Sequence, residues 1–331
     1  MSNNEDFVAL IILNWNGKKI TDRLINSILN LTTYKNYKIV VVDNGSVDDS
    51  VGFLLKKYKK EIDILELDKN YGYSIGINKG IEYVIKKYNP DYLLFLNNDM
   101  LIVDKLWIDK MLEPFKYNEK IMTVGCNLIF PDGKLQYEGI RNFSKIFLPF
   151  EVSARKYPKY EKKFKLVYVG TGAPMIIKKE AIEKIGYFDE AFTPSSSEEI
   201  DYLIRVKKAG YYNAYCYNTK VVHFMSLTWK RFPDLYRFWL VKRNIFYCHL
   251  KHFKRFLPLV FIGQLIATII DKKNDLEPFS LKNIKIRDFA GILMKQFLLA
   301  FFSAIRLYLC RNKRFFVYQQ IKNINQTFRN L

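Results

Sequence analysis

An apolar run, Tyr92-Leu93-Leu94-Phe95-Leu96, stops abruptly at three polar residues, Asn97, Asn98 and Asp99. An apolar run of this length without alternation reads as a strand buried on both faces, which belongs in a parallel sheet covered by helices. Ligands bind at the carboxyl edge of such sheets, so Asp99 is expected to reach a site. The pattern occurs twice upstream. Val8 to Leu13 ends in Asn14, Trp15, Asn16 and Gly17, and Ile39 to Val42 ends in Asp43, Asn44, Gly45 and Ser46. One polar terminus is ordinary strand punctuation. Three on one edge point to a binding surface.

Helical spacing fills the gaps between these strands. Ile20, Leu24, Ile28 and Leu31 follow the first strand, and Val51, Leu54, Leu55 and Tyr58 follow the second. Ser46 with Asp49 three residues on reads as a helix cap. A third strand, Ile62 to Leu67, and a loop at Asp68 to Gly72 lead to a helix carrying Ile77, Ile81, Val84 and Ile85. Strand and helix in alternation predict a doubly wound α/β sheet with helices on both faces.

The first turn has only Gly17, which excludes the Gly-x-Gly-x-x-Gly dinucleotide fingerprint; Gly72, Gly76 and Gly80, spaced by four, do not fit it either. No P-loop motif occurs. The chain has 331 residues, 49% of them hydrophobic, enough for one large or two modest cores. Its formal charge of +20 is uneven: from residue 226 onward there are 20 Lys and Arg against 5 Asp and Glu. Cys126, Cys216, Cys248 and Cys310 lack the close pairing of zinc or redox sites. The polar, acidic start at Met1 to Asp6 is unlike a secretory signal, so the catalytic part is expected in the cytoplasm.

Three segments together, Leu13-Asn14-Trp15-Asn16-Gly17, Val41-Val42-Asp43-Asn44-Gly45-Ser46 and Leu96-Asn97-Asn98-Asp99, resemble the family 2 glycosyltransferases of the GT-A fold, and among them the rhamnosyltransferase-like branch. The likeness runs from about Phe7 to about Phe224. It implies a GT-A type nucleotide-binding mixed sheet flanked by helices, a nucleotide diphosphate sugar donor (UDP- or dTDP-linked) and a divalent cation, Mg or Mn. The resemblance assigns the donor nucleotide to Asn14, Asn16, Asp43, Asn70, Gly72, Asn78, Asn97 and Asn98. Tyr73, Ser74 and Ile75 stand where relatives often have Phe, Ala and Gly. Asn97, Asn98 and Asp99 take the place of the family's Asp-x-Asp, leaving Asp99 as the one hard carboxylate for metal. His223, after Lys220-Val221-Val222, corresponds to a metal-binding His in relatives.

On the acceptor side the resemblance points to the small-residue turn Gly170, Thr171 and Gly172, and to the cluster Glu198, Glu199, Ile200 and Asp201. An inverting transferase needs one carboxylate to take the proton of the attacking hydroxyl. The family's Glu-Asp-x-Asp places that base at Glu199, ahead of Asp201 and Glu198. Ser195 or Ser196 with a Glu three residues later also reads as a capping box, which is compatible with catalysis.

Beyond the likeness, Tyr236 to Lys254 alternates aromatics with cations, and apolar runs follow at Leu257 to Ile270 and Phe289 to Cys310. Neither run is convincing as a spanning helix. Amphipathic helices on an anionic membrane surface are expected, with packing on the catalytic domain or on a second subunit as the alternatives. No nucleic-acid-binding module is present. The expected organisation is a catalytic domain over 1–228 and a basic, aromatic-rich helical region over 229–331. The expected enzyme is metal-dependent and inverting, transfers a hexosyl or deoxyhexosyl group to a glycan or lipid-linked acceptor in cell-surface polysaccharide or glycoconjugate synthesis, and is peripheral at the inner face of the cell membrane. A non-catalytic nucleotide- or polysaccharide-binding protein on the same fold is the rival, and a nucleotidyltransferase a weaker one.

Overall fold

The computed structural model describes residues 5–137, 163–170, 172–224, 233–273 and 286–310. Thr171 lies outside the described residues. Two compact units divide the chain.

The first unit is built on a ten-stranded mixed sheet. Strands β1 (Val8–Asn14), β2 (Tyr37–Asp43), β3 (Ile62–Glu66) and β4 (Tyr92–Asn97) run parallel in the order β3-β2-β1-β4. Their Val, Ile and Leu side chains are buried in the first two and the fourth except for half-buried Leu13, as expected for strands covered on both faces. Register sets the site. Asn14 pairs with Asp43, and Leu13 pairs with Asn97, so the three polar termini arrive at one edge. The chain moves outward from β1 to β3 and then returns to β4 on the other side of β1, which opens a crevice at that edge.

Helices α1 (Lys18–Leu31), α2 (Ser50–Tyr58), α3 (Tyr73–Tyr88) and α4 (Trp107–Tyr117) cover this sheet. α1 buries Leu24, Ile25 and Ile28; α3 buries Ile77, Ile81 and Val84. Gly76 and Gly80 explain their spacing here: they share the face of α3 against the sheet, and a Cβ would meet Leu13 or Val42 at 2.7 Å. The sheet continues through β5 (Met100–Ile102), β6 (Ile121–Ile129), β7 (Leu135–Tyr137), β8 (Phe164–Val167), β9 (Met175–Lys178) and β10 (Tyr212–His223). β9 enters antiparallel between β4 and β6, and β10 pairs antiparallel with β5, bringing His223 opposite Met100. α5 (Lys179–Ile185) and α6 (Glu198–Lys208) complete the unit.

Two caps differ from expectation. The expected Ser46 cap does not form: the helix begins at Ser50 with Asp49 at its N-cap position, in the left-handed region and without a side-chain cap bond, while the Ser46 hydroxyl is engaged by Asn14 and Asn16. α6 begins at Glu198, so Ser195 and Ser196 both stand before its N-cap position, and Ser196, at φ 88°, is outside the extended conformation of a capping-box N-cap.

The second unit includes residues 191–197 and the helices α7 (Asp234–His252), α8 (Leu257–Lys273) and α9 (Ile286–Cys310). Tyr236, Trp239, Leu240 and Ala300 form one cluster, while Phe261 packs edge-on against Phe297 and Phe301 at 5.0 and 4.9 Å. Its buried polar groups are anchored. The Asn244 amide donates to the carbonyls of Phe192, Ser195 and Ser196, and Arg243 donates to that of Thr193. Burial lowers the Arg243 pKa to about 10. Among the described residues no helix is long and apolar enough to cross a membrane.

Candidate active site

At the carboxyl edge, β1 and β2 are cross-braced by polar side chains. The Asn14 amide donates to Asp43 Oδ2 at 2.8 Å, and the Ser46 backbone N–H donates to Asp43 Oδ1 at 2.8 Å. Ser46 Oγ accepts from the Asn16 backbone at 2.8 Å, and Asn16 Oδ1 accepts from the Val47 N–H at 2.7 Å. Thr21, on the first turn of α1, donates to Asn14 Oδ1 at 2.7 Å and accepts from the Asn98 amide at 3.2 Å. A Cβ on Gly17 would lie 2.5 Å from the Asn98 amide and 2.7 Å from Asn14 Oδ1, so the β1 turn is closed tightly over this network. Asp43 is thereby fixed as a buried carboxylate with both oxygens engaged.

Asn44 organises the adjoining loop. Its amide donates to Asn70 Oδ1 at 3.0 Å and to the Gly72 carbonyl at 3.1 Å, while its oxygen accepts from the Tyr71 N–H at 2.9 Å. Asn70 Oδ1 also accepts from the Gly72 N–H. Gly72, at φ 81°, takes a backbone conformation that suits glycine. Asn78 is turned inward: its amide spans the Phe188 carbonyl at 2.9 Å and N–H at 3.0 Å, tying α3 to the segment after α5. The structure thus gives Asn70 and Asn78 partners within the protein. Asn97 is half-buried at the end of β4.

Asp99 and His223 come together from chain positions 124 residues apart, since β5 and β10 pair beside the Asp99 turn. Asp99 Oδ1 lies 3.2 Å from His223 Nε2, and His223 Nδ1 lies 2.8 Å from Gln136 Oε1. In the tautomer that donates Nδ1–H to Gln136, Nε2 turns its lone pair toward the carboxylate, where a cation would sit between the two. A carboxylate oxygen and an imidazole nitrogen suit a divalent cation, and a bound diphosphate would supply further oxygen ligands. Among the described residues no group of three or more His, Cys, Asp or Glu side chains is arranged to hold a metal ion, so these two donors would depend on the diphosphate for the rest of the shell.

The acid cluster opens α6. Asp201 is fully buried, and its Oδ2 accepts from Arg205 Nε at 2.8 Å; Arg205 also donates to the carbonyls of Ile185 and Tyr187. That carboxylate is committed to a structural clamp. Glu198 is buried. Glu199 is half-buried, and its Oε2 is shut off from solvent with no hydrogen-bond partner. Burial raises the Glu199 pKa. The cause of its confinement is Gly172, where a Cβ would stand 2.5 Å from Glu199 Cγ. Gly170 has only ordinary contact distances at its Cβ position. Tyr73, at the start of α3, faces this cluster: burial first, then the Glu198 and Glu199 carboxylates, hold its phenol protonated well above the usual range.

Thr21, Asn44, Ser46 and Gln136 take part in these networks without having been assigned a site role from the sequence. Asn44 and Ser46 belong to the polar terminus of β2, where adjacency to Asp43 was the available signal. Thr21 and Gln136 carried none, because their roles arise from helix and strand packing.

A parallel β3-β2-β1-β4 core extended by antiparallel strands, with its polar edge turned to one crevice, is the GT-A fold. The chain belongs to the family described as Glycosyl transferase family 2, whose model matches residues 9–186. It is 28% identical over 211 residues to the O-antigen biosynthesis protein RfbC of Myxococcus xanthus, covering 61% of this chain and 16% of that protein. It is 26% identical over 243 residues to the low-salt glycan biosynthesis hexosyltransferase Agl10 of Haloferax volcanii, covering 73% of this chain and 75% of that one. The chain therefore spans about a sixth of RfbC and three quarters of Agl10. The solved structure of GalNAc-T7 with UDP, GalNAc and Mn2+ shares the fold at TM-score 0.58 and 15% identity, covering 75% of this chain and 48% of that chain. The family match ends before α6 and His223.

Proposed function

We propose that the chain is an inverting glycosyltransferase that moves a hexosyl or deoxyhexosyl group from a UDP- or dTDP-linked donor to a glycan or lipid-linked acceptor, in cell-surface polysaccharide or glycoconjugate synthesis. The observation that carries this reading is the confinement of Glu199: a carboxylate of raised pKa, pinned by Gly172, in the same unit as the Asp99–His223 pair. The names of RfbC and Agl10 support the class of product.

Asp43 holds the pyrimidine base in this reading, because its carboxylate is fixed before any ligand arrives. Asn14, Asn16 and Asn98 hold the edge in shape, and the Asn70–Gly72 loop closes beside the donor. Asp99 and His223 hold a divalent cation, Mg or Mn, which when bound neutralises charge on the departing diphosphate. The presence of Mn2+ beside UDP in GalNAc-T7 supports this assignment. Glu199 accepts the proton of the acceptor hydroxyl while that oxygen bonds to the anomeric carbon; the bond from that carbon to the diphosphate oxygen breaks on the opposite face. Its raised pKa suits the task, since a stronger base takes the proton more readily. Glu198 and Tyr73 flank it. The basic helical region, 229–331, is placed at the inner face of the cell membrane, where a lipid-linked acceptor is presented.

Thermal stabilisation by UDP and dTDP, with and without manganese, tests the donor site in wild type and Asp99→Ala. Metal-dependent stabilisation lost in the variant is expected. Absence of stabilisation by either nucleotide in wild type would overturn the reading.

A further inference from the structure

Half of the large hydrophobic side chains that stand exposed among the described residues lie on two helices, α8 and α9. On α8 they recur at helical spacing: Leu259, Ile262 and Ile266, the first 61% exposed. On α9 the outward face carries Leu298, Phe302 and Leu309, the last two 62% and 73% exposed. The opposite faces are already packed, through Phe261 against Phe297 and Phe301, and through Gln264, which accepts from Lys242 of α7 at 2.8 Å. That packing fixes the roll of both helices and turns the apolar stripes outward.

We propose that the outward faces of α8 and α9 lie in the interface of an anionic bilayer, parallel to its surface, with the two helices side by side. The proposal deepens the membrane placement above by naming the face. Three observations select lipid over other occupants. First, cations frame and interrupt the stripes where headgroups would be met: Lys254 and Arg255 are exposed immediately before α8, and Lys295 and Arg306 are exposed on the same helix as Leu298 and Phe302. Their long aliphatic stems lie along apolar surface while the charge reaches headgroups. Second, no described helix is long and apolar enough to span, so insertion stops at the interface. Third, the described cations beside the stripes, Lys254, Arg255, Lys295 and Arg306, are all exposed. Two copies of a face framed by these cations would repel each other, whereas an anionic surface attracts it.

Flotation of the full chain with vesicles of phosphatidylcholine, alone or mixed with phosphatidylglycerol, tests the proposal. Wild type is expected to float with the anionic vesicles and to be released by salt. The combined variant Ile262→Asn, Ile266→Asn, Phe302→Ser, Leu309→Asn is expected to lose at least about tenfold in bound fraction, as removal of several inserted apolar side chains requires. Val103→Ser, at an exposed apolar position of the first unit, is expected to float as wild type. Phe302→Trp adds a direct readout, an indole emission that shifts to the blue on vesicles and is quenched by brominated lipid. Flotation unchanged in the combined variant, an indole emission from the Phe302→Trp variant that is insensitive to lipid, or a wild-type dimer that the combined variant disperses without any vesicle binding would each overturn the proposal. Nucleotide stabilisation measured on the same proteins separates the two readings: flotation without it would remove the transferase reading and leave the membrane face standing.

Discussion

The polar edge of β1 and β2 and the first turn of α6 are both rich in buried polar atoms, yet they are built on opposite principles. At the edge, Asp43, Asn14, Ser46 and Thr21 satisfy one another, and each carboxylate oxygen of Asp43 has a donor at 2.8 Å. At α6, Glu199 Oε2 has no hydrogen-bond partner, and the nearby hydroxyls of Ser74 on α3 and Tyr202 on α6 are also buried without one. A satisfied network stabilises the fold and presents a rigid surface. An unsatisfied carboxylate costs stability and retains basicity, which is what a proton acceptor requires. The edge proposed for the donor is thus preformed, while the carboxylate proposed as the base is held at a cost.

The sharpest break of this contrast is Glu199→Gln. Transfer is expected to fall about 10³-fold, in the range for loss of a general base, with nucleotide-dependent stabilisation unchanged. Its melting temperature is expected to rise at neutral pH, the opposite of what a structural carboxylate would show. The sign follows from the raised pKa: the folded state holds the proton more tightly than the unfolded chain, so stability is greatest at low pH and is lost as pH rises through the Glu199 pKa. Gln carries no charge to lose. In the wild type, transfer is expected to rise with pH through a pKa above the ordinary carboxylate value, and a pH–rate profile checks this.

Gly172→Ala tests the geometry of the same acid from the other side. A Cβ at 2.5 Å from Glu199 Cγ must displace the carboxylate, and a shift of about an ångström costs about 100-fold in kcat. KM for the donor is expected to stay within about twofold, since the edge proposed for the donor lies on other elements.

At the preformed edge the sign reverses. Asp43→Ala strands the Asn14 amide and the Ser46 N–H, and a loss of about 1–3 kcal/mol in urea unfolding is expected together with weaker pyrimidine nucleotide binding. A smaller effect is expected at Gln136→Ala, which frees His223 Nδ1: about 10-fold weaker manganese dependence of nucleotide stabilisation, with the metal-free protein little changed. If Asp43→Ala were stabilising or Glu199→Gln destabilising, the contrast between the two regions would collapse.

Much of the edge was legible from the residues in order. Apolar runs that stop at Asn14, Asp43 and Asn97 announce buried parallel strands, and parallel register alone brings their ends level. The spacing of Gly76 and Gly80 was visible, but its cause was not, because it lies in the approach of α3 to Leu13 and Val42. Ser46 illustrates the limit from the other direction: its spacing to Asp49 matches a cap, yet the hydroxyl serves the β1 loop, since long-range hydrogen bonds outcompete a local one.

The sequence by itself determined the strand and helix periodicity, the polar strand ends and the excess of cations in the last third, because these depend on residues near one another in the chain. Tertiary structure decided which acids are spent and which are spare. Asp201 is neutralised by Arg205 and Glu199 is pinned by Gly172, and Asp99 meets His223 only because β5 and β10 pair antiparallel. The reactivity of a carboxylate is set by what surrounds it in space, and those neighbours come from segments that chain order does not bring together.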